Sequence, residues 1–285
     1  MSILVSLAKL YVRFVFREGD YDALKTQRGF NVPDPPKRIA GRCERVDSSE
    51  VRAFWVDRSN AEHGVLVYLH GGAFYFGPVK EHWDYIARIC KQTGMAGIMV
   101  DYGIAPQEPF PIGLDQIIEL VTTLDLPTNW FFLGDSSGAG MAVSAVFKLR
   151  ELNKTLPRKL ILMSPWVDAT LKNPDIELTE KDDVMMTIER LASAARDYVG
   201  DSDAADPLIS PMFGDLAGLP PTLIQMGTAD LLLADCRKFY QKCVDVGVDV
   251  RYEEVSGAFH DFMMLSVLTE ARQALRSQTA FLKAD

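Results

Sequence analysis

Apolar residues along the chain follow two rhythms that take turns. Short unbroken runs such as Val65-Leu66-Val67-Tyr68-Leu69 and Trp130-Phe131-Phe132-Leu133 are bounded by Gly, Asn or Pro, the pattern of strands buried on both faces. They predict strands at 52–56, 65–69, 96–100, 130–133, 160–163, 222–226 and 249–255. Between them lie longer stretches whose apolar residues recur at helical spacing. These predict helices at 81–91, 113–124, 139–152, 188–199, 231–246 and from 261 to about 282. Strand and helix alternating in this way argue for an α/β fold, a mostly parallel central sheet with helices on both faces.

The first residues follow the helical rhythm too. Ile3, Leu4, Leu7, Leu10, Tyr11, Phe14 and Val15 fall on one helical face, interrupted by Lys9 and Arg13. No basic stretch precedes this segment, no small-x-small site follows it, and it is too short to span a bilayer. An amphipathic helix covering apolar surface is expected, with a helix lying in a lipid interface as the alternative. Residues 31–37, rich in proline, read as an extended linker to the sheet.

The chemistry begins at residues 134–140, Gly-Asp-Ser-Ser-Gly-Ala-Gly, directly after one predicted strand and directly before a helix. A G-x-S-x-G sequence in that setting is a sharp strand-to-helix turn that exposes its serine at the sheet edge, so Ser136 is the candidate nucleophile. His70-Gly71-Gly72-Ala73 follows another strand. Acyl transfer needs backbone N–H groups aimed at the developing oxyanion, and those of Gly71, Gly72 and Ser137 are the candidates. His70 is expected to brace the loop. His63 and His82 lie far upstream of Ser136 and are read as structural, which leaves His260 as the single histidine downstream. In this topology the base follows the nucleophile, so His260 is the candidate base. Asp230 ends the 222–226 strand region and is the candidate orienting acid, with Asp235 as its rival. Candidate substrate liners are Phe14, Phe74, Tyr75, Trp83, Trp166 and Phe213, with Phe30 beside them; Met185 and Met186 would offer a pliable apolar wall.

Five strings in order now carry a resemblance: His70-Gly71-Gly72, Asp101 to Pro111 (DYGIAPQEPFP), Gly134 to Gly140, Ser164-Pro165-Trp166-Val167-Asp168 and Asp206 to Pro211 (DPLISP). Over roughly 60–284 the chain resembles the hormone-sensitive-lipase-like branch of the α/β-hydrolases, which includes many bacterial carboxylesterases. The resemblance implies an α/β-hydrolase fold, a triad of Ser136, Asp230 and His260, an oxyanion hole of Gly71, Gly72 and Ser137, and a helical cap over the acyl site. One domain over 1–284 is expected, with the cap from 1–40 and about 170–200 and the core from about 41–169 and 201–284. The chain departs from the family pattern at Gly103 (usually Arg), Ser137 (Ala), Leu231 (Pro) and Asp261 (Gly). Asp261 puts a second carboxylate beside His260.

Composition narrows the rest. With 285 residues, 48% of them apolar, the chain can bury a large core. Its 30 basic against 39 acidic residues leave a net charge of −9, with no basic stripe, which argues against nucleic acid as a partner. Cys43, Cys90, Cys236 and Cys243 form no CxxC pair and have no histidines at metal-ligand spacing, so no metal site is expected and a reduced cytoplasmic protein fits. The expected partner is a small ester or lactone, with no cofactor and no membrane contact; a homodimer is left open. Turnover of such an ester is the function expected. A non-catalytic ligand receptor on the same fold is the alternative, and it would not need His260.

Overall fold

The computed structural model describes residues 3–16, 31–46 and 51–284. Its elements in chain order are α1 (Ile3–Phe16), β1 (Cys43–Arg45), β2 (Arg52–Val56), β3 (Val65–Leu69), α2 (Lys80–Thr93), β4 (Ala96–Asp101), α3 (Ile112–Thr123), β5 (Trp130–Asp135), α4 (Ser136–Glu151), β6 (Leu160–Met163), α5 (Ile176–Glu180), α6 (Ile188–Val199), β7 (Thr222–Ala229), α7 (Leu233–Asp245), β8 (Val250–Phe259) and α8 (Thr269–Lys283). The strands form one sheet in the order β1-β2-β4-β3-β5-β6-β7-β8. β1 and β2 are antiparallel to their neighbours, and β4, β3, β5, β6, β7 and β8 run parallel.

Strand side chains alternate between faces, so β3 divides the core. Val65, Val67 and Leu69 join the apolar layer under α3, α4 and α7, whereas Leu66 and Tyr68 join the layer under α2 and α8. Both layers are buried, which is why β3 and β5 read as unbroken apolar runs.

The seven predicted strands are present, four of them running past their expected ends, β4 to Asp101 and β5 to Asp135 among them. β7 runs on to Ala229 and β8 to Phe259, with a register irregularity between Gly227 and Ala229; the extensions carry Asp230 and His260 to the sheet edge. β1 and α5 are too short to leave a periodic signal. The helix expected from 261 begins only at Thr269. Asp261 has a left-handed φ of 54°, which no α-helix tolerates, and a short turn at Phe262–Met264 intervenes. The 31–37 segment docks on the α2 entrance, with Trp83 Nε1 donating to Val32 O at 2.6 Å and Val32 N to Pro78 O at 2.7 Å.

α1 forms as expected but buries another face. Val5 and Val12 are 1% and 3% exposed, whereas Leu4, Leu7, Leu10, Tyr11 and Phe14 are 48%, 58%, 66%, 67% and 73% exposed. Val5, Ala8 and Val12 share a narrow stripe of small side chains, and a helix can approach the body closely only along such a stripe. The side chains of Ile3 and Val15 lie outside the described residues. Among the described residues no helix is long and apolar enough to cross a membrane.

Candidate active site

Ser136 begins α4 and has φ 49°. This strained turn can pack so tightly because residues 138 and 140 have no side chains: a Cβ on Gly138 would run into the carbonyl oxygens of Leu69 and His70, and one on Gly140 into that of Trp166. Trp166 N–H in turn donates to Ser136 O at 3.0 Å. The turn presents Ser136 Oγ to His260 Nε2 at 2.9 Å, and His260 Nδ1 meets Asp230 Oδ2 at 3.0 Å. Asp230 is fully buried and its other oxygen accepts from Leu232 N–H at 2.9 Å. Asp235 does not reach the site. It lies in the first turn of α7, accepts from Asn173 Nδ2 at 2.7 Å, and burial pushes its carboxyl up to about 6.

Asp261 sits on the opposite edge of the imidazole, with Oδ2 3.2 Å from Nε2. Its N–H donates to Ser164 Oγ at 3.2 Å, and its Oδ1 is buried with no hydrogen-bond partner among the described residues.

The glycine loop is fixed differently from the sequence expectation. Gly71 N–H donates to Asp135 Oδ1 at 2.9 Å, so it is committed and does not face an incoming oxygen. The N–H groups of Gly72 and Ala73 have no partner among the described residues. Ser137 N–H, in the first turn of α4, has no intrahelical acceptor. Asp135, a buried carboxylate next to the nucleophile, also accepts from Tyr68 OH at 2.5 Å and lies 3.3 Å from His82 Nε2. Burial opposes its ionisation, but His82, Tyr68 and His70 more than offset this and hold it below the usual carboxylate range. His82, read from sequence as structural, thus stands at the site wall with Nδ1 accepting from Val79 N–H at 3.0 Å. His70 braces the loop: its Nδ1 is 2.8 Å from Gly71 O and its ring stacks on Tyr102 at 4.4 Å. Burial and the neighbouring His82 depress His70 to about 3, which keeps it neutral.

A cavity of about 270 Å³ opens over Ser136, walled by Tyr11, Val12, Phe76, Met185, Met186 and Phe259 among others. None of the six expected aromatic liners borders it. Phe14 points to solvent, and Phe213 is 45% exposed beneath Lys242. Phe74 stacks on Tyr198 at 3.6 Å, and Tyr75 donates to Asp197 at 2.7 Å. Trp83 is buried against Phe54, and Trp166 donates to Asp168 O at 2.9 Å. Phe74, Tyr75, Trp83 and Trp166 are taken up by the buried packing, and Met185 and Met186 line the space beside Tyr11, Phe76 and Phe259. Phe30 lies outside the described residues. Asp183, which sequence reasoning passed over, ties this wall to the acid loop: its Oδ1 accepts from Met185 and Met186 N–H at 2.6 and 2.8 Å, and its Oδ2 from Leu231 N–H at 2.7 Å. One of two adjacent aspartates, Asp182 and Asp183, in a segment without regular spacing gives no periodic signal to find it by.

Residues 66–264 match the α/β-hydrolase fold family. An esterase of Acinetobacter venetianus is 33% identical over 252 residues, 86% of this chain and 80% of that protein. An acetyl-hydrolase of Streptomyces hygroscopicus is 31% identical over 270 residues, 92% of this chain and 87% of its own. Among solved structures, an esterase from the bacterial hormone-sensitive lipase family superposes with a TM-score of 0.84 at 26% identity, over 99% of this chain and 98% of the other. The chain belongs to the α/β-hydrolase fold family, in its hormone-sensitive-lipase-like branch of carboxylic-ester hydrolases.

Proposed function

We propose that the chain hydrolyses carboxylic esters of small to medium apolar acyl groups through an acyl-enzyme, with Ser136 as nucleophile, His260 as base and Asp230 as orienting acid. The observation that carries this reading is the unbroken run from Ser136 Oγ through His260 to Asp230, at 2.9 and 3.0 Å, beneath an apolar cavity. A serine hydroxyl attacks a carbonyl poorly until its proton has an acceptor, and Nε2 stands where that proton leaves. His260 then returns the proton to the departing alcohol, and water repeats the cycle on the acyl-enzyme. Asp230 fixes the tautomer through Nδ1–H and favours the imidazolium formed at each transition state. The oxyanion falls to the N–H groups of Gly72, Ala73 and Ser137, with Ala73 in place of Gly71. Each step passes a proton or an acyl group among these residues and water, and so calls on no cofactor. The relative named acetyl-hydrolase and a cavity of about 270 Å³ both favour short acyl chains.

The test is hydrolysis of nitrophenyl esters of increasing chain length, with a few lactones beside them, by the unmodified protein and by Ser136→Ala. Activity highest on short acyl esters is expected, with a loss on the order of 10⁶ in the variant. Ser137→Ala should act mildly because it keeps its N–H. A Ser136→Ala protein retaining more than about a hundredth of the activity would remove Ser136 from the role, given the size of that expected loss.

A further inference from the structure

His260 Nε2 carries, in its ring plane, either one lone pair or one N–H, and two oxygens compete for it. Ser136 Oγ is at 2.9 Å and Asp261 Oδ2 at 3.2 Å. The position that holds Asp261 is a left-handed one, φ 54°, a conformation that costs a non-glycine residue energy. The carboxylate it presents is buried and its Oδ1 has no partner. His260 is its only ion-pair contact among the described residues. An ionised Asp261 facing a bare Nε2 lone pair sets two electron-rich atoms against each other in a buried site. A single proton between them relieves this, either as imidazolium N–H donating to the carboxylate or as carboxylic O–H donating to Nε2. Either arrangement occupies the lone pair that Ser136 requires.

We propose that Asp261 is a positioning residue acting through the base: its carboxylate retains a proton on the Nε2 edge of His260, and the relay accepts the Ser136 proton only after this pair has released one proton to solvent. This rests on the assignment of His260 as base. The same carboxylate then faces the imidazolium formed when Ser136 gives up its proton, so once the pair is deprotonated His260 is a stronger base than one flanked by Asp230 alone. Other charged groups face the pair from every side. Asp230 bonds Nδ1, and Asp183 accepts from the Leu231 N–H beside it. Asp135, His82, Glu81 and Arg190 border the same cavity as Asp261. The balance is towards retention of the proton. Burial opposes the imidazolium, but the charges of Asp261 and Asp230 overcome it and hold His260 well above the usual histidine range. Burial likewise raises Asp261 to about 7 against the pull of His260.

Two measurements test this on the full chain. The first is kcat/KM against pH on one soluble ester for the unmodified protein, Asp261→Asn and Asp261→Gly. An opposite charge at this range moves a titration by about 1–3 units, so the acid midpoint should fall by that amount in both variants. Their activity should exceed the parent's on the acid side and fall below it on the alkaline side. Glycine suits the left-handed position, so Asp261→Gly should fold even if the Asn variant does not. The second is the imidazole titration of His260 followed by ¹⁵N NMR in Ser136→Ala, with and without Asp261→Asn, the resonance assigned by its loss in His260→Gln. It reads the pair with no turnover, so an inactive parent enzyme would count against the proposed function and leave this arm to decide. A His260 midpoint that stays in place or rises when Asp261 is replaced overturns the proposal.

Discussion

At the scale of single residues, what separates the carboxylates of this site is which atom of His260 each can reach. Asp230 closes β7 and meets Nδ1 at 3.0 Å, whereas Asp235, one helical turn later, is turned to Asn173. An acid that accepts the Nδ1–H holds the tautomer in which Nε2 can take a proton; an amide in its place presents the wrong one and lowers turnover by about 10⁴. Asp230→Asn should therefore show a loss of that order in kcat/KM, with KM little changed, and Asp235→Asn should lose far less. Equal losses in the two variants would withdraw the orienting role from Asp230. That Asp230 and not Asp235 would stand beside His260 was legible in the chain, because the end of a strand carries its residue to the sheet edge. The commitment of Gly71 N–H to Asp135 was not, because it joins residues 64 positions apart, and no local pattern encodes which of two adjacent N–H groups a distant carboxylate will take.

At the scale of elements, the β5–α4 turn is specified by what is missing from it. The strand and helix signals on either side were clear from apolar runs, and the glycines between them mark a close approach. The structure supplies the reason, the carbonyl oxygens of Leu69, His70 and Trp166 against Gly138 and Gly140. Backbone carbonyls cannot move aside as the end of a flexible side chain would. Gly138→Ala should accordingly cost about 1–3 kcal/mol as an overpacked site, seen as a lowered Tm, together with reduced kcat as Ser136 is displaced from His260. An unchanged Tm and kcat would mean that β3 and α4 separate more easily than this packing implies. Elements with weaker local signals were lost or misplaced: β1 spans only three residues, and the late start of α8 is set by Asp261 and the Phe262–Met264 turn, where the apolar rhythm continues although the backbone does not. The aromatic liners failed for a related reason. Composition says that large rings exist, but only packing decides that Trp83 and Phe74 fill the core while Met185 and Met186 face the cavity.

At the scale of the whole molecule, the sheet and its two helical layers are complete without α1, which adds to one layer only Val5, Val12 and part of Ala8. Burying two valines contributes at most about 1.5–3 kcal/mol each, a small share of what holds a core of this size. α1 nevertheless meets the site, since Tyr11 and Val12 border the cavity over Ser136. Its outward row of Leu4, Leu7, Leu10, Tyr11 and Phe14 runs away from the sheet, so the helix shapes the cavity with its edge and not with the broad apolar face that the sequence suggested. Removing residues 1–17 should then leave a folded protein in which the contacts of His260 with Ser136 and Asp230 persist, while the cavity loses one wall. The expected result is a Tm lower by a few degrees, a modest change in kcat on acetyl esters, and a KM that rises more steeply with acyl length than in the full chain, because longer chains would extend along the missing wall. Steady-state kinetics over an acetyl-to-octanoyl series in both proteins measures this. A folded truncated enzyme with an unchanged chain-length profile would show that α1 takes no part in holding the acyl group.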